Sequence, residues 1–214
     1  MLLYIIRHGE TDWNVQRRLQ GEQDNPLNDS GRKLAELTAW AFRDINVDLV
    51  ITSPLSRAVE TAQIVLGYRE IPYFTDSRLR EIDWGEWDGI QAGSPEYESI
   101  FHEMKLFYEH PFEFQGSPTG ESIQEVCRRT KEFLKELVEN EDYQDKTVLI
   151  STHGCAMRGL LNSLYEDPQD FWQQGVPANC AVSIVRAEKG RMSFVEREKI
   201  FYDKSLQTDF YRLD

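Results

Sequence analysis

Arg7, His8, Arg57, Glu81 and His153 are the side chains of this sequence whose types and settings suit one shared piece of chemistry. Arg7 and His8 close the apolar run Leu2 to Ile6 and are followed by Gly9, Glu10, Thr11, Asp12 and Asn14, turn formers with donors and acceptors to spare. His153 follows a second apolar run, Thr147 to Ser151, and precedes Gly154, so an apolar stretch ending in His-Gly occurs twice. Arg57 comes just after a third such run, Asp48 to Ser53. Taken alone, His8 reads equally well as a strand-end histidine beside a surface arginine; its recurrence with matching partners changes the weight. Two guanidiniums and two imidazoles brought to one place suit a tetrahedral dianion, because Arg clamps phosphate oxygens in bidentate fashion and imidazole can donate to them. Glu81, in the acidic, Trp-rich stretch Leu79 to Gly89, adds a carboxylate able to move a proton, with Trp84 and Trp87 placed to keep water from it.

The elements that must position these groups follow from the pattern. Continuous rather than alternating apolar runs suit strands buried on both faces of a parallel sheet, and such sheets bind ligands at their carboxyl edge. Helical spacing is predicted over 32–43, capped by Asn28, Asp29 or Ser30, and over 55–66, with Pro54 near its first turn. Further helices are predicted over 95–109, 121–140, 156–165 and 168–174. Weaker strands are predicted at 71–75, 180–187 and 192–200, the last two joined at Lys189-Gly190, and 15–27 reads as a loop. The expected fold is a three-layer α/β/α arrangement with a mainly parallel central sheet, forming one domain over 1–214 with a small helical cap inserted at about 86–120.

With 214 residues and 40% hydrophobic content the chain can bury a full core. A net charge of -13 and the lack of any long Lys/Arg block argue against nucleic acid or an anionic membrane as partner. Cys127, Cys155 and Cys180 lack zinc or dithiol spacing, which favours a reducing compartment, and no apolar run reaches the roughly 18 residues of a membrane helix. The opening MLLYII is too short for a signal-peptide core, so a cytoplasmic location is expected. No Asp/His cluster has metal-ligand spacing, and neither metal nor cofactor is expected. Cys180 to Arg186 has the Cys-x5-Arg length of cysteine phosphatases, but its β-branched alternation predicts a strand in place of a phosphate-wrapping loop; Cys155 reads as packing, and His102 and His110 as solvated.

Arg7-His-Gly-Glu-Thr11 with Asn14, Ser53-Pro-Leu-Ser-Arg57-Ala-Val-Glu-Thr-Ala62, Leu79-Arg-Glu81-Ile-Asp-Trp-Gly85, Gly120-Glu-Ser122 and Ser151-Thr-His153-Gly154 resemble, in order, the motif set of the histidine phosphatase superfamily, which includes cofactor-dependent phosphoglycerate mutases. The resemblance implies that His8 is the nucleophile, that Arg7, Arg57 and His153 hold the phosphoryl oxygens, and that Glu81 is the general acid. It further implies that Asn14, Gly9 and Gly21 line the mouth, and Gly154 and Trp84 complete the expected substrate-binding set. The expected activity is that of a metal-independent phosphomonoesterase of the histidine acid phosphatase type, acting on a small-molecule phosphate ester through a phosphohistidine. Which nitrogen of His8 attacks is open, and so is a homodimer. Between Glu81 and Glu121 the fixed cation is Lys105 against eight acids, and Trp84 stands where the mutases have Tyr, so mutase activity is the alternative. A second alternative is a non-catalytic phospho-ligand binding protein on the same scaffold.

Overall fold

The structure, a computed structural model, describes residues 1–207; the final residues of the expected 1–214 unit, 208–214, lie outside the described residues. Its centre is a six-stranded sheet in the order β3-β2-β4-β1-β5-β6. The chain opens with β1 (Leu2–Arg7), turns through the short α1 (Asp12–Val15) and continues into α2 (Asp29–Phe42) and β2 (Leu49–Thr52). Then come α3 (Ser56–Val65), β3 (Tyr73–Thr75), α4 (Pro95–Ser99), α5 (Phe101–Glu109) and α6 (Ile123–Glu139). The last elements are β4 (Thr147–Thr152), α7 (Gly154–Leu161), β5 (Val182–Glu188) and β6 (Arg191–Lys199). Strands β1 to β4 are mutually parallel, whereas β5 runs antiparallel to β1 and β6 antiparallel to β5.

The unbroken apolar runs are explained by burial on both faces. Leu3, Ile5, Leu49, Ile51, Val148 and Ile150 point to one face, where Phe133, Leu134 and Leu137 of α6 and Met157 and Leu160 of α7 cover them. Ile6, Val50 and Leu149 point to the other, under Leu34, Ala35 and Phe42 of α2 and Ala62 and Val65 of α3. This is the expected three-layer architecture. Because β1 and β4 pair in register, with Arg7 opposite Thr152, the first residues beyond each strand, His8 and His153, emerge side by side. A third apolar cluster joins Trp84, Trp87, Met104, Phe107 and Phe114 to Ile123 and Val126 of α6 and to Phe171 and Trp172, so the segment between Glu81 and α6 packs through its aromatic rings against the start of α6 and the 171–172 turn.

Several local expectations are corrected. The 95–109 helix is broken at Ile100 into α4 and α5. The predicted helix at 168–174 is a series of turns, with Gln173 and Gln174 at φ 49° and 75°. Residues 12–15 form a helical turn where a loop was expected, because Thr11 and Asn14 make a reciprocal capping box. Cys180 is not a strand residue: it sits in a turn at φ 57° before β5 and gives its backbone N–H to the carbonyls of Arg7 and His8. Pro54 precedes the N-cap, Leu55, and so stands outside α3.

Candidate active site

His8 leaves β1 into a loop pressed onto the start of α2. A Cβ on Gly9 would lie 2.6 Å from the Gly31 carbonyl oxygen, so the crossing requires glycine for close approach. The Gly9 N–H donates to Thr61 Oγ1 of α3 at 2.9 Å, which ties the loop to a second helix. On this support His8 Nδ1 donates to the Gly9 carbonyl at 2.6 Å, and since a carbonyl only accepts, that contact fixes the proton on Nδ1 and leaves Nε2 with its lone pair. Burial above all, with the Arg57 and Arg7 charges added, holds the His8 imidazole well below its ordinary pKa of 6.5, so the ring is neutral at neutral pH. Of the two ring nitrogens it is Nε2 that is available to act as a nucleophile.

Arg57 is fully buried and enters from the first turn of α3. It donates through Nη2 to the Gly21 carbonyl at 2.6 Å, through Nη1 to the Gln23 carbonyl at 2.8 Å and through Nε to His153 Nδ1 at 3.2 Å. Burial lowers its pKa to about 10, which still leaves it cationic. A guanidinium has five N–H groups, so two of Arg57 bond nothing among the described residues and can serve an anion. Because His153 Nδ1 accepts from Arg57, the neutral His153 ring carries its proton on Nε2, which donates to Ser53 Oγ at 2.7 Å. Burial, reinforced by Arg57, holds this imidazole too well below 6.5. The His8 and His153 ring centres are 5.1 Å apart. In this arrangement both nitrogens of His153 are engaged, so it orients Arg57.

Arg7 donates from Nη1 to the Pro177 carbonyl. Glu81 is buried at the start of α7: Oε1 accepts from the N–H groups of Ile82 and Ala156, each at 3.0 Å, and Oε2 from Cys155 at 3.1 Å. A cavity of about 50 Å³ brings Arg7, His8, Asn14 and Glu81 together. That volume is on the order of two water molecules' share of liquid, enough for a small tetrahedral group. Asn14 Oδ1 accepts from the Thr11 N–H at 3.1 Å, which fixes the amide orientation and directs Nδ2 to the cavity it lines.

Of the other expected site residues, Trp84 lines the cavity, while Gly9 and Gly21 do not. Gly9 is covered by α2, and Gly21 serves through its carbonyl by holding Arg57. Gly154 borders the site from behind, where an added Cβ would meet Val176 Cγ1 at 2.6 Å. Leu19, Gln20, Phe107, Tyr108, Trp172 and Val176 also line the cavity and went unnoticed in the sequence. Gln20 alone left a signal there, as a polar residue next to Gly21; the others are apolar residues of loops or helices with nothing local to mark them. Among the described residues no group of three or more His, Cys, Asp or Glu side chains is placed to hold a metal ion.

A mainly parallel sheet whose strand ends set two neutral imidazoles among guanidiniums, with a carboxylate beside them, is the frame of an enzyme that handles phosphoryl groups. The comparisons make this specific: the model of the histidine phosphatase superfamily (branch 1) matches residues 3–199, and the chain belongs to that family of phosphatases and mutases. It is 31% identical over 192 residues to phosphoserine phosphatase 1 of Hydrogenobacter thermophilus, covering 88% of both chains. It is 34% identical over 185 residues to the "Probable phosphoglycerate mutase GpmB" of Yersinia enterocolitica, covering 86% of this chain and 83% of that one. Among solved structures, YhfR of Bacillus stearothermophilus superposes with a TM-score of 0.86 at 32% identity, over 93% of this chain and 97% of that one.

Proposed function

We propose that this protein is a metal-independent phosphomonoesterase that hydrolyses a small-molecule phosphate ester through a phosphohistidine. His8 Nε2 attacks phosphorus with its lone pair, the P–O bond to the leaving alcohol breaks, and Glu81 gives that oxygen its proton. Water then attacks phosphorus, the Glu81 carboxylate takes up a proton from it, and the N–P bond breaks to release phosphate and restore neutral His8. Splitting one displacement into two eases each, and the protein's contribution is placement and charge. Arg7 and Arg57 supply the positive charge for the phosphoryl oxygens, and Asn14 Nδ2 a further donor.

The observation that carries hydrolysis over transfer is the wall facing His8. Leu19, Ile82, Trp84, Phe107, Tyr108 and Trp172 make it aromatic and apolar, and Arg7 is the one cation that lines the cavity among the described residues. Lys105 is turned away onto the surface of α5, 3.7 Å from Glu109. A substrate carboxylate or second phosphate would find no counter-charge on that wall, whereas an aryl or uncharged leaving group would be buried favourably. The name of the GpmB relative keeps phosphoglycerate transfer as the competing outcome of the test.

The experiment is hydrolysis of an aryl phosphate and a panel of metabolite phosphates in excess chelator, with phosphoglycerate and its bisphosphate assayed for transfer in parallel. Hydrolysis that persists in chelator and disappears in His8→Ala supports the proposal. Transfer outrunning hydrolysis, or loss of activity on chelation, refutes it; a His8→Ala protein that matches wild type in ligand binding, with no turnover in either, makes it a binding module.

A further inference from the structure

Glu81 lies in a segment without regular secondary structure, 80–84, so its backbone groups have no ladder to join. The carbonyls of Arg80 and Glu81 find their partner in one side chain of α6. Arg129 donates from Nη1 to the carbonyls of Arg78 and Arg80, each at 2.7 Å, and from Nη2 to the carbonyl of Glu81 at 3.0 Å. Its remaining N–H groups go to Glu121, Nε to Oε1 at 2.7 Å and Nη2 to Oε2 at 2.8 Å. All five donors of the guanidinium are thus used within the protein. The carbonyl between them, that of Leu79, accepts from Thr152 Oγ1 at 2.9 Å. Glu121 completes the frame on the far side, giving its N–H to the Asp83 carbonyl at 2.8 Å. The Glu81 side chain is meanwhile held by the first N–H groups of α7.

Two independent grips therefore act on Glu81, one on its carboxylate and one on its backbone. We propose that Arg129, with Glu121 as its counter-ion, is a positioning residue for proton transfer by Glu81, although it touches neither substrate nor the reacting atoms. This rests on the reading of Glu81 as general acid. Proton delivery to a leaving oxygen depends on placement within hydrogen-bond reach, and a shift of about 1 Å can cost roughly 100-fold. Replacing the five-donor fork by an ammonium with three donors releases part of the 78–81 backbone while leaving His8, Arg7 and Arg57 in place.

The test uses the leaving group. A p-nitrophenolate departs as an anion and needs little help from an acid, while the alkoxide of an alkyl phosphate needs a proton. For Arg129→Lys, kcat/KM for an alkyl phosphate should fall about 10- to 100-fold, and for p-nitrophenyl phosphate less than about 3-fold. Glu81→Gln, run alongside, should show the same contrast more strongly. An equal loss on both substrates, or none on either, in Arg129→Lys overturns the proposal; an absence of contrast in Glu81→Gln instead overturns Glu81 as the acid. If Arg129→Lys fails to fold by circular dichroism, Glu121→Gln decides. It leaves the three carbonyl contacts of Arg129 in place while removing the counter-charge and one of the two oxygens that accept from the guanidinium, and it should show the same contrast, about 3- to 10-fold in size, by the general-acid range. A uniform loss, or none, there overturns the proposal as well.

Discussion

The two buried imidazoles make stability depend on pH in a way that can be measured without any substrate. Both His8 and His153 have folded pKa values well below the ordinary 6.5, chiefly through burial and then through Arg57. In the unfolded chain each takes a proton as pH falls through about 6.5, while in the folded chain neither does until lower pH. The unfolded state then binds more protons, so stability is greatest above about 6.5 and falls as pH drops below it. Each group contributes about 1.4 kcal/mol per pH unit once the unfolded ring is charged, so moving from pH 7.5 to 5.5 should remove about 2.7 kcal/mol through the pair. Against a total of about 5–15 kcal/mol this is a large share.

Urea unfolding at several pH values between 5.5 and 7.5, in phosphate-free buffer, reads the effect. The comparison is the double variant His8→Asn, His153→Asn, in which asparagine keeps the hydrogen-bonding role of Nδ1 at both positions, to the Gly9 carbonyl and from Arg57. Glu22 and Asp88, whose carboxyls are pushed up by burial, act with the opposite sign, but they are present in both proteins and cancel. The variant should lose about 2.7 kcal/mol less than wild type over the interval. An equal loss in the two proteins would show that the imidazoles are not held neutral, and the availability of the His8 lone pair near neutral pH would fall with it.

Other consequences are simpler to state. A Cβ on Gly31 would sit 2.1 Å from the Glu10 carbonyl oxygen, so Gly31→Ala should lower stability by about 3 kcal/mol in urea unfolding and reduce kcat by displacing the His8 loop. Burial raises the Cys127 thiol to about 11 and the Cys180 thiol to about 12 and holds the Cys155 thiol well above its ordinary value, so native protein incubated with iodoacetamide at pH 8 should stay unmodified by mass spectrometry, while unfolded protein takes up three labels. Tyr108 is a half-buried residue of the cavity wall, and Tyr108→Arg would put a cation there; the ratio of kcat/KM for 3-phosphoglycerate to that for an aryl phosphate should rise about 10-fold, as one added charge-assisted hydrogen bond predicts.

What the sequence made legible was whatever lies within a few residues of a signal. The runs Leu2 to Ile6 and Thr147 to Ser151 announced buried strands, and the His-Gly pairs behind them fell side by side because β1 and β4 are parallel neighbours. Where the backbone answers to a distant side chain, local pattern failed. Residues 168–174 have a helical composition, yet Arg158 of α7 takes the Gly175 carbonyl with both Nε, at 3.1 Å, and Nη2, at 2.6 Å, and so pulls the chain out of helical turns. That same hold places Val176 against Gly154 and Pro177 against Arg7. The cavity wall was equally hidden, since Trp172 and Tyr108 come together from separate segments through packing alone, their rings 5.9 Å apart.

Arginines show the same division most clearly. Type and strand-end position mark Arg7 and Arg57 as anion ligands, while nothing local in the sequence marks Arg129 or Arg158. The structure separates them by how their donors are used. Arg129 and Arg158 are saturated by carbonyls, a tyrosine hydroxyl and the carboxylates of Glu121 and Glu198, so neither has a donor for a ligand. Arg57, held by two carbonyls and one imidazole, keeps donors in reserve, and Arg7 faces the cavity. Loops at a sheet edge lack the ladder that satisfies backbone groups elsewhere, and a buried guanidinium can replace it for three or four carbonyls at once. The arginines proposed to bind the phosphoryl group and those that hold the loops around the site are therefore of one chemical type, and the count of occupied donors tells them apart.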